Sequence, residues 1–346
     1  MWKAEAFRYM CPLEAGPPSQ DGQPRPAALC TLAAAILNLM SRAVLSKPSY
    51  LYLSPDDLRR RIDAAWELMA SPCRVCPRGC KVDRRADDQR GFCRIGAGAV
   101  ISSFAPHFGE EPPLVGTGGS GTIFLTSCNL ACVYCQNWEI SQARWGRPVT
   151  DEQLAGAMLK LQNLACHNIN FVSPTVHVPQ ILAALPYAID GGLRVPLVYN
   201  TSSYDSLDVL RLLDGVFDIY MPDIKYVDEA NARKYSLVKD YYPVAKAAVK
   251  EMHRQVGDLV EADDGVAVRG LIIRHLVLPD GLAGTAEAMR FIARELSVHS
   301  YVNVMAQYRP ANKAERHPEL SRRITSLEYG EALRLALETG LYRLAR

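Results

Sequence analysis

Between Thr122 and Ser141 the sequence reads TIFLTSCNLACVYCQNWEIS, where Cys128, Cys132 and Cys135 follow a short apolar run with the spacing C-x3-C-x2-C. Thiols clustered this tightly in a long chain are metal ligands sooner than disulfide partners. Three thiolates can hold three corners of a cubic iron–sulfur cluster and leave one iron without a protein ligand. An open metal position is what catalysis needs and a structural site avoids.

A second set lies upstream. Cys73, Cys76, Cys80 and Cys93 are spaced C-x2-C-x3-C-x12-C, close enough for four thiolates to meet on one ion, with Pro72, Pro77, Gly79 and Gly91 supplying tight turns. A closed zinc site and an auxiliary iron–sulfur cluster both suit this set, and the spacing does not choose between them. Gly116, Gly118, Gly119 and Gly121 precede the first set, but no Gly-Lys-Ser/Thr follows, so they read as a turn into a strand rather than a phosphate cradle. Cys166 reads as a packing residue at a helix end, and Cys11 and Cys30 as bystanders.

The whole chain must bury enough surface to position these thiols, and 346 residues that are 49% hydrophobic and 22% charged can do so. Thirty-nine basic against thirty-seven acidic residues leave a net charge of +2, with no long single-sign block and so no electrostatic case for nucleic acid. Seven of the ten cysteines fall in the two sets, a pattern that points to a reducing, cytoplasmic setting. The apolar stretch from Ala27 is broken by Asn38, Ser41 and Arg42 and falls short of the ~20 residues that span a bilayer. It is expected to be a packing helix in a flexible or helical leader, residues 1–46, rather than a membrane or export segment.

The elements follow from periodicity. Ser54, Pro55 and the acids behind them predict a helix start, with Leu58, Ile62, Ala65 and Leu68 on its buried face. Six strand-length runs, TIFLTS, NINFVSP, VPLVYNTS, FDIYMPDIK, LIIRHLVLP and YVNVMAQY, alternate with helix-patterned segments, which predicts parallel strands joined by crossovers. Asp223 and Lys225 alternate onto one face at the end of the fourth run, whereas Arg274 and His275 point to opposite faces, so at most one of them faces the interior. Gln307, Tyr308 and Arg309 end the sixth run, and His107, Glu110 and Glu111 lie between the two cysteine sets.

C-x3-C-x2-C with an aromatic residue, Tyr134, before the last cysteine resembles the signature of the radical S-adenosylmethionine (radical SAM) enzymes. The resemblance implies an α/β fold, a partial (β/α)6 TIM-like barrel carrying its site at the C-terminal strand ends, here with an N-terminal Cys-rich extension. It further implies a [4Fe-4S] cluster on Cys128, Cys132 and Cys135, whose open iron chelates S-adenosylmethionine, and places Tyr134 against the adenine. The family's second strand ends in a glycine-containing segment that binds the amino group; this chain reads VSPT there, leaving the backbone of Ser173 for the task. Asn200, Thr201 and Ser202 stand where polar residues approach the amino acid or ribose. Lys225 matches a lysine that pairs with the methionine carboxylate in glycyl-radical activating enzymes, with Asp223 beside it; His275 and Arg274 are further candidates for cofactor or substrate contact.

From about Pro48 onward, CRVCPRGC, HFGEEP, CVYCQNWEISQ, YMPDIKY and QYRPA resemble the group labelled pyruvate formate-lyase activating enzymes. The implied organisation is a leader (1–46), a helix and four-Cys knuckle (47–115), a core barrel (116–315) and a C-terminal helix (316–346). The implied chemistry is reductive cleavage of S-adenosylmethionine to a 5′-deoxyadenosyl radical that abstracts hydrogen, with a flavodoxin or ferredoxin as electron donor. The hydrogen comes from a protein glycine if the chain is an activase, or from a small molecule or another peptide. The remaining alternative is a zinc or iron–sulfur binding protein without catalysis. Activases of known function place extra cluster cysteines after the first set, whereas here they precede it.

Overall fold

The computed structural model describes residues 47–345. The expected leader helix, Cys11 and Cys30 lie outside the described residues. Pro48–Arg346 form one compact unit.

The helix start expected at Ser54 is present: the Ser54 hydroxyl accepts from the Asp57 amide, and Pro55 opens helix α1 (Pro55–Glu67), which buries Leu58 and Ala65. Six parallel strands match the six apolar runs: β2 (Ser120–Leu125), β4 (Ile169–Val172), β5 (Leu197–Thr201), β6 (Ile219–Pro222), β8 (Ala267–Leu276) and β9 (Tyr301–Met305). Three more strands join the sheet: β1 (Ala99–His107) runs antiparallel to β2, β3 (Arg147–Val149) antiparallel to β1, and β7 (Val260–Glu261) antiparallel to β8. The sheet is an open mixed one in the order β3-β1-β2-β4-β5-β6-β8-β7, with β9 also paired to β8. It has the form of a partial barrel that does not close. Crossover helices include α2 (Asp151–Asn163), started by a capping box on Thr150, and α3 (Val178–Asp190), which packs against both α1 and α2.

Strand alternation sorts side chains into two layers. Tyr199, Leu271, Ile273, Val302 and Val304 belong to the large core under the helices, while Val198, Ile219, Met221 and Ile272 face the interior. Leu114, from the short helix after β1, joins this interior group and fills it from the N-terminal end of the strands. With period two, Asn200, Asp223 and Arg274 continue the interior rows of their strands, and His275 falls on the outer side. The core beneath therefore fixes which polar groups reach the barrel mouth. Among the described residues, no helix is long and apolar enough to cross a membrane.

Candidate active site at the barrel mouth

One cavity of about 260 Å³ lies at the C-terminal strand ends, and Cys128, Cys132 and Cys135 all line it. So do Tyr134, Ser173, Asn200, Thr201, Ser202, Asp223 and Lys225. Arg274, Met305 and Gln307 complete the strand-end side, and the short helix Trp138–Ser141 contributes Ile140 and Ser141.

The cysteine loop is held at each sulfur. The Leu130 amide points at Cys128 Sγ at 3.3 Å, the Ser236 hydroxyl donates to Cys132 Sγ at 2.9 Å, and Ser141 Oγ lies 3.2 Å from Cys135 Sγ. Helix α4 (Glu229–Ser236) supplies Ser236, and the Tyr235 carbonyl next to it accepts the Val133 amide at 2.8 Å. Burial, with smaller contributions from the neighbouring thiols, pushes Cys128 up to about 12, while burial opposed by Lys225 takes Cys132 to about 11. A bare thiol there stays protonated at neutral pH, so stable thiolates require the positive charge of bound metal. Three soft donors on one loop, prearranged by hydrogen bonds to sulfur, fit an iron–sulfur cluster with one iron open to the cavity.

Opposite the thiols stands a part-buried charged network. Lys225 Nζ donates to Asp223 Oδ2 at 2.6 Å; Arg274 donates to Asp223 Oδ1 at 2.7 Å and to Asn200 Oδ1 at 2.7 Å. Glu110 lies 3.6 Å from the same guanidinium, and Glu111 accepts from Asn303 at 2.7 Å. Burial alone would raise Asp223, but Arg274 and Lys225 outweigh it and hold the carboxyl below its ordinary value. Burial likewise opposes the charge on Lys225, yet Asp223 keeps the ammonium above its ordinary value. Glu111 is raised, chiefly by burial. The Tyr241 hydroxyl accepts from the Lys225 amide and sits 2.9 Å from the Ser202 and Asp223 carbonyls, tying the ends of β5 and β6 together.

Ser173, in place of a family glycine, adopts left-handed backbone angles (φ 59°, ψ 48°) and donates its amide to the Asn200 carbonyl at 3.0 Å. A serine thus takes the conformation glycine adopts most easily. Tyr134 packs edge-on to Tyr226 and Tyr308 at one wall. Thr201 bonds to Asp205, which also accepts from Tyr199 and Thr175, so its hydroxyl is engaged behind the strand.

His275 is a correction. Its Nδ1 lies 2.8 Å from the Ile224 carbonyl and its Nε2 3.0 Å from Thr285 Oγ1, and the ring is fully buried away from the cavity. Its neighbour Arg274 takes the interior position. Tyr308 is likewise a packing residue, donating to the Leu320 carbonyl at 2.7 Å, and Arg309 is exposed outside the cavity. His107 packs on Phe124, whereas Glu110 and Glu111 reach the network from below. Tyr241, Ser236 and Ser141 had no sequence signal, because each acts through a fold contact rather than a spaced motif.

In the upstream set, the Cys73 amide donates to the Cys80 carbonyl at 2.8 Å and the Phe92 amide points at Cys80 Sγ at 3.5 Å. Burial pushes Cys76 up to about 12, and Cys93, Cys73 and Cys80 add to it, so the four thiols are electrostatic neighbours. The donor types suit zinc or iron; among the described residues, in neither cysteine set are three His, Cys, Asp or Glu side chains gathered as one metal ion would gather them. All eight described cysteines are free thiols.

The radical SAM superfamily profile matches residues 122–261, the span from β2 to β7. The chain is 34% identical over 294 residues to the uncharacterized protein MJ0674 of Methanocaldococcus jannaschii, covering 82% of this chain and 80% of that protein. Among solved structures, it is similar to TYW1 with a lysine–pyruvate adduct bound (TM-score 0.38, 9% identity, 63% of this chain and 73% of that one). It is also similar to HydG, a maturase of the [FeFe]-hydrogenase (TM-score 0.45, 10% identity, 85% of this chain and 63% of that one). With the profile lying over the cysteine loop and four of the strands that build the cavity, and a relative matched across most of its length, the chain belongs to the radical SAM superfamily.

Proposed function

We propose that this radical SAM enzyme takes its hydrogen atom from a protein, as an activase of a glycyl-radical enzyme does. The observation that carries the proposal is the cavity: three thiols, the Asp223–Lys225–Arg274 network and the strand-end hydroxyls share about 260 Å³. Ligand pockets span roughly 300–1,000 Å³. A space just below that range, which has also to hold the cluster, leaves little room for a second ligand beside S-adenosylmethionine and so favours a substrate carbon presented over the rim, as a protein loop presents it.

When bound, the cluster supplies the electron that cleaves S-adenosylmethionine reductively, and the resulting carbon radical takes hydrogen from the substrate. The protein's part is binding, orientation and exclusion of water. Lys225, protonated and pre-positioned by Asp223, offers its ammonium to the methionine carboxylate. The strand ends at Ser173, Asn200 and Ser202 offer backbone and side-chain groups to the amino and ribose parts, and Tyr134 walls the side expected to meet the adenine. Arg274 does not bind directly in this reading; it holds Asp223 and Asn200 in place. The four-Cys knuckle is read as a structural zinc or second iron–sulfur site, and free thiols throughout suit a reducing compartment and a flavodoxin- or ferredoxin-type donor.

The test is isotopic. Reduced holoenzyme and S-adenosylmethionine are incubated with a deuterated cell extract separated by size, and 5′-deoxyadenosine is examined by mass spectrometry. Deuterium arriving from the protein fraction supports the proposal; deuterium arriving from the small-molecule fraction contradicts it.

A further inference from the structure

The near-neutral net charge of the whole chain hides a local excess. Between Cys73 and Arg94 there are seven Lys and Arg residues against three Asp. Arg84 is buried on three backbone carbonyls, but Arg74, Lys81, Arg85, Arg90 and Arg94 are exposed. Arg85 pairs with Glu67 and Asp83, and Arg90 pairs with Asp88. Arg74, Lys81 and Arg94 form no ion pair among the described residues. Each directly follows a knuckle cysteine, so the fold of the knuckle sets where these charges stand.

The same knuckle is bonded to the loop of the radical site. Arg78 donates to the Asn129 carbonyl at 2.9 Å, one residue from Cys128, and to the Leu237 carbonyl at 2.7 Å, one residue from the Ser236 that bonds Cys132. Its guanidinium lies 3.6 Å above the Phe92 ring. Phe92 is 36% exposed and Leu237 56% exposed, so two large apolar groups sit at the surface where knuckle and cysteine loop meet. Asp87 is the module's one acid without an ion pair among the described residues, so its unpaired charges are three cations against one carboxylate; an apolar centre on a module with such a cationic excess is the make-up of a transient protein-docking face.

We propose that the four-Cys knuckle is the electron-entry face, docking an acidic one-electron carrier protein over Phe92 and Leu237. The carrier gives up one electron and the radical cluster takes it up; no bond is made or broken and no proton need move. Buried metal sites need a donor that approaches closely, and the knuckle is one of the elements bonded directly to the cluster loop. A cationic face raises the encounter rate of an acidic partner and makes it fall with salt. Zinc and iron in the knuckle serve equally, because docking requires only the folded face.

The inference rests on the radical SAM reading, and two electron donors separate the two. Reconstituted wild type and a triple variant, Arg74→Glu, Lys81→Glu and Arg94→Glu, are driven either by a reduced flavodoxin or by dithionite, and 5′-deoxyadenosine is measured. Iron content and the visible spectrum check that the variant is loaded, and Arg74→Gln with Lys81→Gln provides a milder second variant. Expected is a drop of about tenfold or more with flavodoxin at low salt, a smaller drop for the milder variant, and unchanged turnover with dithionite. Equal rates with flavodoxin, or an equal loss with both donors, overturn the docking face. Wild-type binding of duplex DNA or RNA that the triple variant loses, with flavodoxin turnover unchanged, would reassign the face to nucleic acid. Absence of turnover with dithionite in wild type would instead remove the radical SAM reading itself.

Discussion

Asp223 and Arg274 are joined across neighbouring parallel strands by a charge-assisted hydrogen bond of 2.7 Å, and the same carboxylate holds Lys225 at 2.6 Å. One part-buried anion between two part-buried cations makes Asp223 the keystone of the charged wall facing the thiols.

Removing it should cost more than one contact. Asp223→Ala leaves the part-buried Lys225 and Arg274 without their shared partner, and an expected loss of about 3 kcal/mol follows, the lower end of the cost of breaking a buried pair. Denaturant unfolding measures it. Because the folded carboxyl is held below its ordinary value, its contribution is present above the unfolded value near pH 4 and is lost as pH falls further.

Lys225→Met should spare the cluster and weaken the ligand. Iron content and the visible spectrum are expected to match wild type, while binding of S-adenosylmethionine weakens about tenfold or more, the effect of losing one charge-assisted hydrogen bond. Equilibrium dialysis of the reconstituted protein checks this, and unchanged binding would remove Lys225 from the carboxylate role.

Two buried histidines set an acid limit. His275 and His177 are both lowered to about 4, chiefly by burial, so each is neutral in the folded protein. Their contribution is complete above the unfolded value near 6.5 and is lost as pH falls from there toward 4, at up to about 1.4 kcal/mol per pH unit for each ring. Unfolding curves from pH 7 to pH 5 should show this slope, and His275→Gln with His177→Gln should flatten it.

Arg78→Ala removes two hydrogen bonds from a charged donor to backbone carbonyls of the cysteine-loop region. The expected destabilisation is about 2–3 kcal/mol. If the knuckle holds a metal as proposed, chelating it should lower the melting temperature as well, and the two effects should not add, since each loosens the same joint.

Much of this was legible in the residues. The six parallel strands showed because each is an apolar run with turn signals at both ends, and Cys128, Cys132 and Cys135 because short spacing alone brings them together. β1 was missed because serines and Pro106 break the pattern of AVISSFAPH, and β3 and β7 because three and two residues carry no period. Arg274 and His275 could not be ranked from alternation alone; which is interior depends on Ile272 joining the inner layer, a fact of packing. Glu110 and Glu111 reach Arg274 and Asn303 across 164 and 192 positions, and no local rule reports such a meeting.

The thiols and the cavity they line imply cleavage of S-adenosylmethionine on a cluster held by Cys128, Cys132 and Cys135. The most direct measurement is 5′-deoxyadenosine formed by anaerobically reconstituted protein after dithionite reduction, in wild type and in Cys128→Ala. Product is expected from wild type and none from the variant. Product that persists in Cys128→Ala, or none from a wild type carrying its full complement of iron and sulfide, would contradict it.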